Sequence, residues 1–196
     1  MRVIAGDYKG RRIISPEGRD IRPTTDKTKE AIFSILTGRI AGSSVLDLFS
    51  GTGALGIEAL SRGADLCVFC EKAREALGII EENLINCGIA VRRISELSFE
   101  EKDEPLAYIC PGDITKSLEK ITGKFEIILM DPPYEKGLCE KSLEMISEQD
   151  LLAEDGMIVC EHRKQETLAD EICGFVKVKE RRYGISMVSI YRAAEF

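Results

Sequence analysis

From residue 44 onward the chain alternates short apolar runs with amphipathic stretches, and this alternation restricts the fold more than any other feature. Ser44–Leu48, Asp65–Glu71, Val91–Ile94, Leu106–Cys110, Phe125–Met130 and Met157–Cys160 read as strands. Ala54–Ser61, Ala73–Cys87, Ile114–Ile121 and Cys139–Glu148 carry helical spacing, and a polar, acidic loop spans Ser95–Glu104. Near-continuous apolar strands separated by helices imply an α/β, doubly wound, mostly parallel sheet covered on both faces. Two further strands, Phe175–Lys179 and Met187–Tyr191, meet through Arg181-Arg182-Tyr183-Gly184 and close the sheet in antiparallel fashion. Ligands of such sheets sit at the carboxyl ends of the strands, near the point where strand order reverses.

Residues 1–40 precede this pattern as an extension to the body formed by 41–196. Arg2–Ile4 and Arg11–Ile14 flank Gly6-Asp7-Tyr8-Lys9-Gly10 and read as a hairpin. A loop from Pro16 to Pro23 leads to a helix near Asp26–Leu36, for which Thr25 is a plausible N-cap. The extension carries nine Lys and Arg against five acids, a surplus of four on a chain whose net charge is −7. A basic arm on an acidic body suits an RNA partner, with Lys9, Arg11, Arg12 and Arg22 as candidate contacts, and it also suits a plain solvated face. Hydrophobic residues make up 44% of the chain, enough for a real core at this length. No apolar stretch approaches the roughly 20 residues that span a bilayer. The N-terminus lacks a secretory h-region, so a cytoplasmic protein without a membrane partner is expected. The seven cysteines are odd in number and lie mostly in apolar runs, which favours reduced, buried thiols. Cys67-x-x-Cys70 lies in a predicted strand with no second Cys or His pair beside it, so no metal is expected.

The stretch Val45-Leu46-Asp47-Leu48-Phe49-Ser50-Gly51-Thr52-Gly53-Ala54-Leu55-Gly56 is a strand, a glycine turn and a helix start. Gly51, Gly53 and Gly56 satisfy G-x-G-x-x-G, which makes a dinucleotide one candidate ligand. Glycines let the backbone pass close to a ligand, and the helix N-terminus favours a negative group such as a carboxylate. Glu71 follows Gly51 by 20 residues and ends the second strand, where its carboxylate can accept both ribose hydroxyls. Asp47, four residues before Gly51, would repel a pyrophosphate and attract the ammonium of a methionine moiety. Asp113 is placed to accept from an adenine amino group, or to cap the helix that starts at Ile114. These acids shift the balance from NAD to S-adenosylmethionine.

Asp131-Pro132-Pro133-Tyr134 ends the most apolar strand. A strand-ending turn is the plain reading, since Asp-Pro opens turns. The chemical reading is a stiff polar pocket with a stacking wall, suited to a planar base that bears an exocyclic amine. Asp131 and a carbonyl fixed by the prolines can accept from the amine, while Tyr134 lies on the ring face. His162, the only histidine, follows the strand Met157–Cys160 and reads as a partly exposed, incidental residue.

Arg22-Pro23-Thr24-Thr25-Asp26, the stretch Asp47–Ala64, and Asp131-Pro132-Pro133-Tyr134 together resemble the RsmD-type bacterial 16S ribosomal RNA guanine-N2 methyltransferases, within the Rossmann-like class I methyltransferases. The resemblance covers nearly the whole chain, and the Arg22–Asp26 element is its most specific part. It implies methyl transfer from S-adenosylmethionine to the N2 amine of a guanine in 16S ribosomal RNA, on a partly assembled small ribosomal subunit. It also implies cofactor contacts at Thr24, Thr25, Asp47, Phe49, Ser50, Gly51, Gly53, Glu71, Lys72, Asp113 and Ile114, with Asp131, Pro132, Pro133 and Tyr134 as the catalytic element. An adenine-N6 methyltransferase would use the same pocket, but the chain has no obvious target-recognition domain. An NAD-dependent oxidoreductase leaves Asp131–Tyr134 without a task. A purely binding assembly protein would not need every expected carboxylate.

Overall fold

The computed structural model describes residues 1–16, 26–94, 106–133 and 137–194. Arg22, Thr24, Thr25 and Tyr134 lie outside the described residues, as does the whole acidic loop Ser95–Glu104. The elements in chain order are α1 (Asp26–Ile35), β1 (Ser44–Asp47), α2 (Ala54–Ser61), β2 (Leu66–Glu71), α3 (Arg74–Cys87), β3 (Ala90–Arg93) and β4 (Leu106–Pro111). There follow α4 (Ile114–Leu118), β5 (Phe125–Met130), α5 (Leu138–Glu148), β6 (Leu152–Arg163), β7 (Glu171–Ile172), β8 (Phe175–Tyr183) and β9 (Ser186–Ala193).

The nine strands form one sheet in the order β3-β4-β2-β1-β5-β6-β9-β8-β7. β3 to β6 are parallel to one another across the sheet, and β9, β8 and β7 continue it antiparallel. Strand order reverses at β1, which lies between β2 and β5, so a crevice opens there at the carboxyl edge. One face is covered by α1, α2 and α3, whose Phe33, Ile57 and Ile80 share a core with Val45, Phe69 and Ile127. The other face is covered by α4 and α5, whose Leu118, Leu143 and Ile146 pack on Leu46, Val68 and Ile128. Alternate residues of each strand serve the two layers because successive side chains point to opposite faces. This alternation also separates Cys67 from Cys70: the first joins one core and the second the other, so the C-x-x-C cannot close on one ion. Six of the seven cysteines are buried free thiols, and Cys173 is exposed.

The N-terminal hairpin reduces to a single bridge, Arg2 to Arg12, with Val3 N–H donating to Arg11 O at 2.9 Å and Gly10 N–H to Val3 O at 2.9 Å. Its Val3 and Ile13 enter the same core as α2 and α3. Polar fastenings hold it there. The Glu58 carboxylate, fully enclosed in α2, accepts from the N–H groups of Ile4 (2.8 Å) and Ala5 (3.0 Å). It also pairs with Lys29 Nζ at 3.1 Å and Arg62 Nε at 2.9 Å. Lys29, itself fully enclosed in α1, donates to the Arg2 carbonyl at 2.6 Å. Gly6, at φ +83°, passes so close to α2 that a Cβ would stand 1.6 Å from the Ser61 carbonyl oxygen. Among the described residues no helix is long and apolar enough to cross a membrane.

Glu58→Ala leaves the Lys29 ammonium buried without its carboxylate and strands two backbone N–H groups. We expect a loss of about 3–5 kcal/mol, the range for breaking a buried ion pair from one side. Urea denaturation of both proteins checks this, and a loss below about 1 kcal/mol would mean that water replaces the carboxylate.

Candidate active site

The carboxyl ends of β1, β2, β4, β5 and β6 open on one cavity of about 910 Å³. From β1 come Asp47, Phe49, Ser50 and Gly51. Asp47 is 1% exposed and accepts from the Gly56 N–H at 3.1 Å, which ties the strand end to the first turn of α2. Burial pushes its carboxyl from the ordinary 3.8 up to about 7; the Gly56 hydrogen bond opposes that shift and the nearby Glu71 charge adds to it. Ser50 Oγ donates to the Asp47 carbonyl at 2.8 Å and closes the turn. Gly51 holds φ +54°, a left-handed conformation that suits glycine.

The other two glycines of the motif serve the turn into α2 and its packing. Gly53 does not line it; at φ +79° it turns the chain into α2, and a Cβ there would stand 3.4 Å from Ile57, Ile80 and Phe69. At Gly56 a Cβ would meet the Phe69 ring at 2.3 Å and Cys67 Sγ at 2.7 Å. Glycine at 56 therefore lets α2 lie directly on β2.

From β2 come Glu71 and Lys72. Glu71 Oε2 accepts from the Gly51 N–H at 2.9 Å, and Oε1 accepts from the N–H groups of Lys72 and Ala73, each at 2.8 Å. The carboxylate thus bridges the glycine turn and the entry to α3, and its position is set before any ligand arrives. After β4, Asp113 and Ile114 line the cavity. Asp113 is also the N-cap of α4, with Oδ1 accepting from the Lys116 N–H at 3.0 Å, so the capping role open in the sequence is the one its side chain performs. After β5 come Asp131, half-buried, then Pro132, buried, and Pro133, exposed, all three on the cavity.

Residues not singled out from sequence complete the wall. Lys141 of α5 and Arg163 at the end of β6 stand on the Asp131 side, and Met1, Ser15 and Pro16 bring the extension to the rim. Arg163 could have been found by noting that β6 ends at the same sheet edge as β5. Lys141 had no such signal, because only the packing of α5 brings it there. Lys9, Arg11 and Arg12 are exposed on the hairpin and do not line the cavity. His162 is buried, not partly exposed as its lone position suggested, and its Nε2 lies 2.8 Å from Ser189 Oγ on β9. Asn83 of α3, also unnoticed, is buried and links the extension to the glycine turn. Its Oδ1 accepts from the Ile14 N–H at 2.7 Å, and its Nδ2 donates to the carbonyls of Ile14 (3.1 Å) and Thr52 (2.9 Å). Among the described residues no cluster of three or more His, Cys, Asp or Glu side chains could hold a metal ion.

A strand-turn-helix with acids at the ends of β1 and β2, and Asp-Pro-Pro at the end of β5 across the strand-order reversal, is the layout of a Rossmann-like class I methyltransferase. Over residues 1–192 the chain matches the family model described as Conserved hypothetical protein 95. It is 36% identical over 196 residues to YlbH of Bacillus subtilis (strain 168), named as a candidate rRNA methyltransferase, with 98% of each chain covered. It is 30% identical over 165 residues to ribosomal RNA small subunit methyltransferase D of Escherichia coli (strain K12), covering 82% of this chain and 74% of that protein. Among solved structures, a candidate methyltransferase from Escherichia coli, yhhF, matches with a TM-score of 0.81 at 26% identity, covering 98% and 97% of the two chains. The chain belongs to the RsmD-type methyltransferase family.

The raised Asp47 carboxyl has a consequence for stability. Between its unfolded value of 3.8 and its folded value of about 7 the folded state holds a proton that the unfolded state has lost. Rising pH in that window therefore destabilises the ligand-free protein, by at most about 1.4 kcal/mol per pH unit from this group. Denaturation of wild type and Asp47→Asn across the window should show a downward slope that the variant lacks. Parallel profiles would mean that Asp47 is ionised throughout.

Proposed function

We propose that this protein methylates the N2 amine of a guanine in 16S ribosomal RNA, with S-adenosylmethionine as donor and a partly assembled small subunit as substrate. The observation that carries this reading is the convergence of Asp47, Glu71 and Asp131, from three strand ends, on one cavity. At about 910 Å³ the cavity lies within the usual range for cofactor sites of about 300–1,000 Å³. The residues present fit the donor. Buried Asp47 gains from a cation nearby, Glu71 is held where it can accept from a ribose, and Ile114 offers an apolar side chain for a base.

When bound, S-adenosylmethionine supplies an electrophilic methyl on a sulfonium. The remaining task falls to the chain. A guanine N2 amine is a weak nucleophile because its lone pair is delocalised into the ring. Hydrogen bonds from its two N–H groups to Asp131 and to the Pro132 carbonyl favour a pyramidal nitrogen and aim the lone pair at the methyl. Pro132 and Pro133 hold φ near −65°, so this acceptor pair loses little freedom on binding. Orientation of this kind can lower a barrier by about 7–11 kcal/mol. Tyr134, next in sequence, is the candidate ring for stacking the base, worth about 1–3 kcal/mol. Residues 1–40 form the RNA-facing extension of the catalytic body at 41–196. The exposed Lys9, Arg11 and Arg12, together with Arg22, supply its phosphate contacts. Thr24 and Thr25 are assigned to the cofactor side of the same extension.

Methyl transfer to partly assembled subunits, followed by mass mapping of the modified guanine, tests the reading. Asp131→Ala should abolish turnover while S-adenosylhomocysteine still binds, because the lost acceptor matters most as the nitrogen pyramidalises. Near-normal turnover in that variant would remove Asp131 from the mechanism. Glu71→Ala should weaken cofactor binding by about 1–3 kcal/mol in calorimetry. Unchanged affinity in a folded variant would take Glu71 out of the site.

A further inference from the structure

The β8–β9 hairpin lies at the same sheet edge as the cavity. β6 runs with β5 and ends at Arg163, which lines the cavity; β9 returns antiparallel, so Arg163 pairs with Ser186. Ser186 in turn pairs with Tyr183 at the end of β8. Arg163, Ser186 and Tyr183 therefore form one rung across three strands, and the turn at Gly184 and Ile185 projects beside the mouth of the site. The N-terminal hairpin is fastened to α2 and α3, which pack over β1, β2, β3 and β4. In the sheet order the β8–β9 tip stands just past β6, the last strand whose end opens on the cavity, and away from the strands that α2 and α3 cover.

The tip has the chemistry of a nucleic-acid contact. Lys179, Arg181 and Arg182 are exposed, and neither Lys179 nor Arg181 has an ion-pair partner among the described residues. Lys177 is already committed to Asp170 and Glu180, each at 3.0 Å. Arg182 Nε donates to the Gly184 carbonyl at 2.8 Å, which fixes the guanidinium over the turn. Tyr183 is half-buried, with its ring packed against the core that includes Val188, and so is a rooted aromatic surface. Ile185 is 49% exposed at the turn itself. Cations interleaved with an aromatic and an apolar side chain, on a chain of net charge −7, complement a phosphate backbone with unstacked bases.

We propose that the β8–β9 tip, with Arg163 as its link to the cavity, binds the RNA strand adjoining the target nucleotide, so that the RNA is held on both sides of the pocket. This rests on the RNA methyltransferase reading above. The test uses full-length wild type, Arg181→Gln/Arg182→Gln, and Arg181→Glu alone, the last because Arg182 also closes the turn. Each is assayed for S-adenosylhomocysteine affinity, methylation of partly assembled subunits, and salt-dependent binding to protein-free 16S ribosomal RNA. We expect cofactor affinity and kcat to hold within about twofold while KM for the subunit rises about tenfold. The slope of log affinity against log salt should fall by about 1.4 in the double variant, for two lost phosphate contacts on a single strand. Unchanged KM and slope in both variants, with an active wild type, overturn the surface alone. A loss of subunit binding with unchanged affinity for protein-free RNA assigns the tip to a protein and also overturns the proposal. A wild type that binds the cofactor but methylates no ribosomal RNA overturns the functional reading, and this surface with it.

Discussion

The enclosed carboxylate of Glu58 fastens residues 1–16 and α1 to the body, and through them shapes the rim of the cavity. A buried charge is tolerated only when paired and hydrogen-bonded, and Glu58 meets both needs with Lys29, Arg62 and two backbone N–H groups. Its partners come from the hairpin, from α1 and from the end of α2, so one side chain joins three segments whose apolar residues also share a core. Gly6 and Ser61 add a contact so close that only a residue without Cβ fits. The outcome places Met1, Ser15 and Pro16 at the cavity. Asn83 then connects Ile14 to Thr52, which gives the extension a direct hydrogen-bonded route to the glycine turn.

The charged side chains of the cavity differ in how they are held. On the β1–β2 side the acids are arranged so that their charge is partly spent on the backbone. Glu71 satisfies three N–H groups, whereas Asp47 has one from Gly56 and is left strongly desolvated. A cationic ligand portion would find its most favourable place beside Asp47 and a neutral polyol beside Glu71. On the β5–β6 side, Lys141 and Arg163 accompany Asp131. That side suits an anionic polymer whose reacting group is a hydrogen-bond donor. Lys72 and Lys116 line the cavity as well, so cations and acids meet on both sides of the strand-order reversal.

Much of this was legible in the chain itself. α2 and β5 have the bounds that periodicity predicts, because the apolar runs there end at glycine or proline. At its carboxyl end β6 outruns its apolar run because β9 pairs with it through Glu161, His162 and Arg163, which carry no hydrophobic signal. β7, two residues long, pairs with β8 at the sheet edge and has no local pattern to read. The burial of His162 is hidden from the local sequence for a related reason. Its burial depends on Ser189, 27 residues away, which offers a hydroxyl inside the sheet. The G-x-G-x-x-G motif marked the turn correctly, but it could not separate Gly51, which lines the cavity, from Gly53, which turns the chain at positive φ, and Gly56, which serves packing. The last distinction depends on where Phe69 and Cys67 stand.

By itself the sequence determined the α/β class, the strand ends at which Asp47, Glu71 and Asp131 lie, and the family. Those properties follow from local periodicity and from short motifs whose residues act within one turn of chain. Only the tertiary structure decided that these acids share a single cavity, that Lys141 and Arg163 line it too, and that the β8–β9 tip reaches the same edge. It also decided that a lysine and a glutamate 29 positions apart would be sealed together in the interior. Such pairings depend on sheet order and strand direction, which depend in turn on how every apolar face is buried at once.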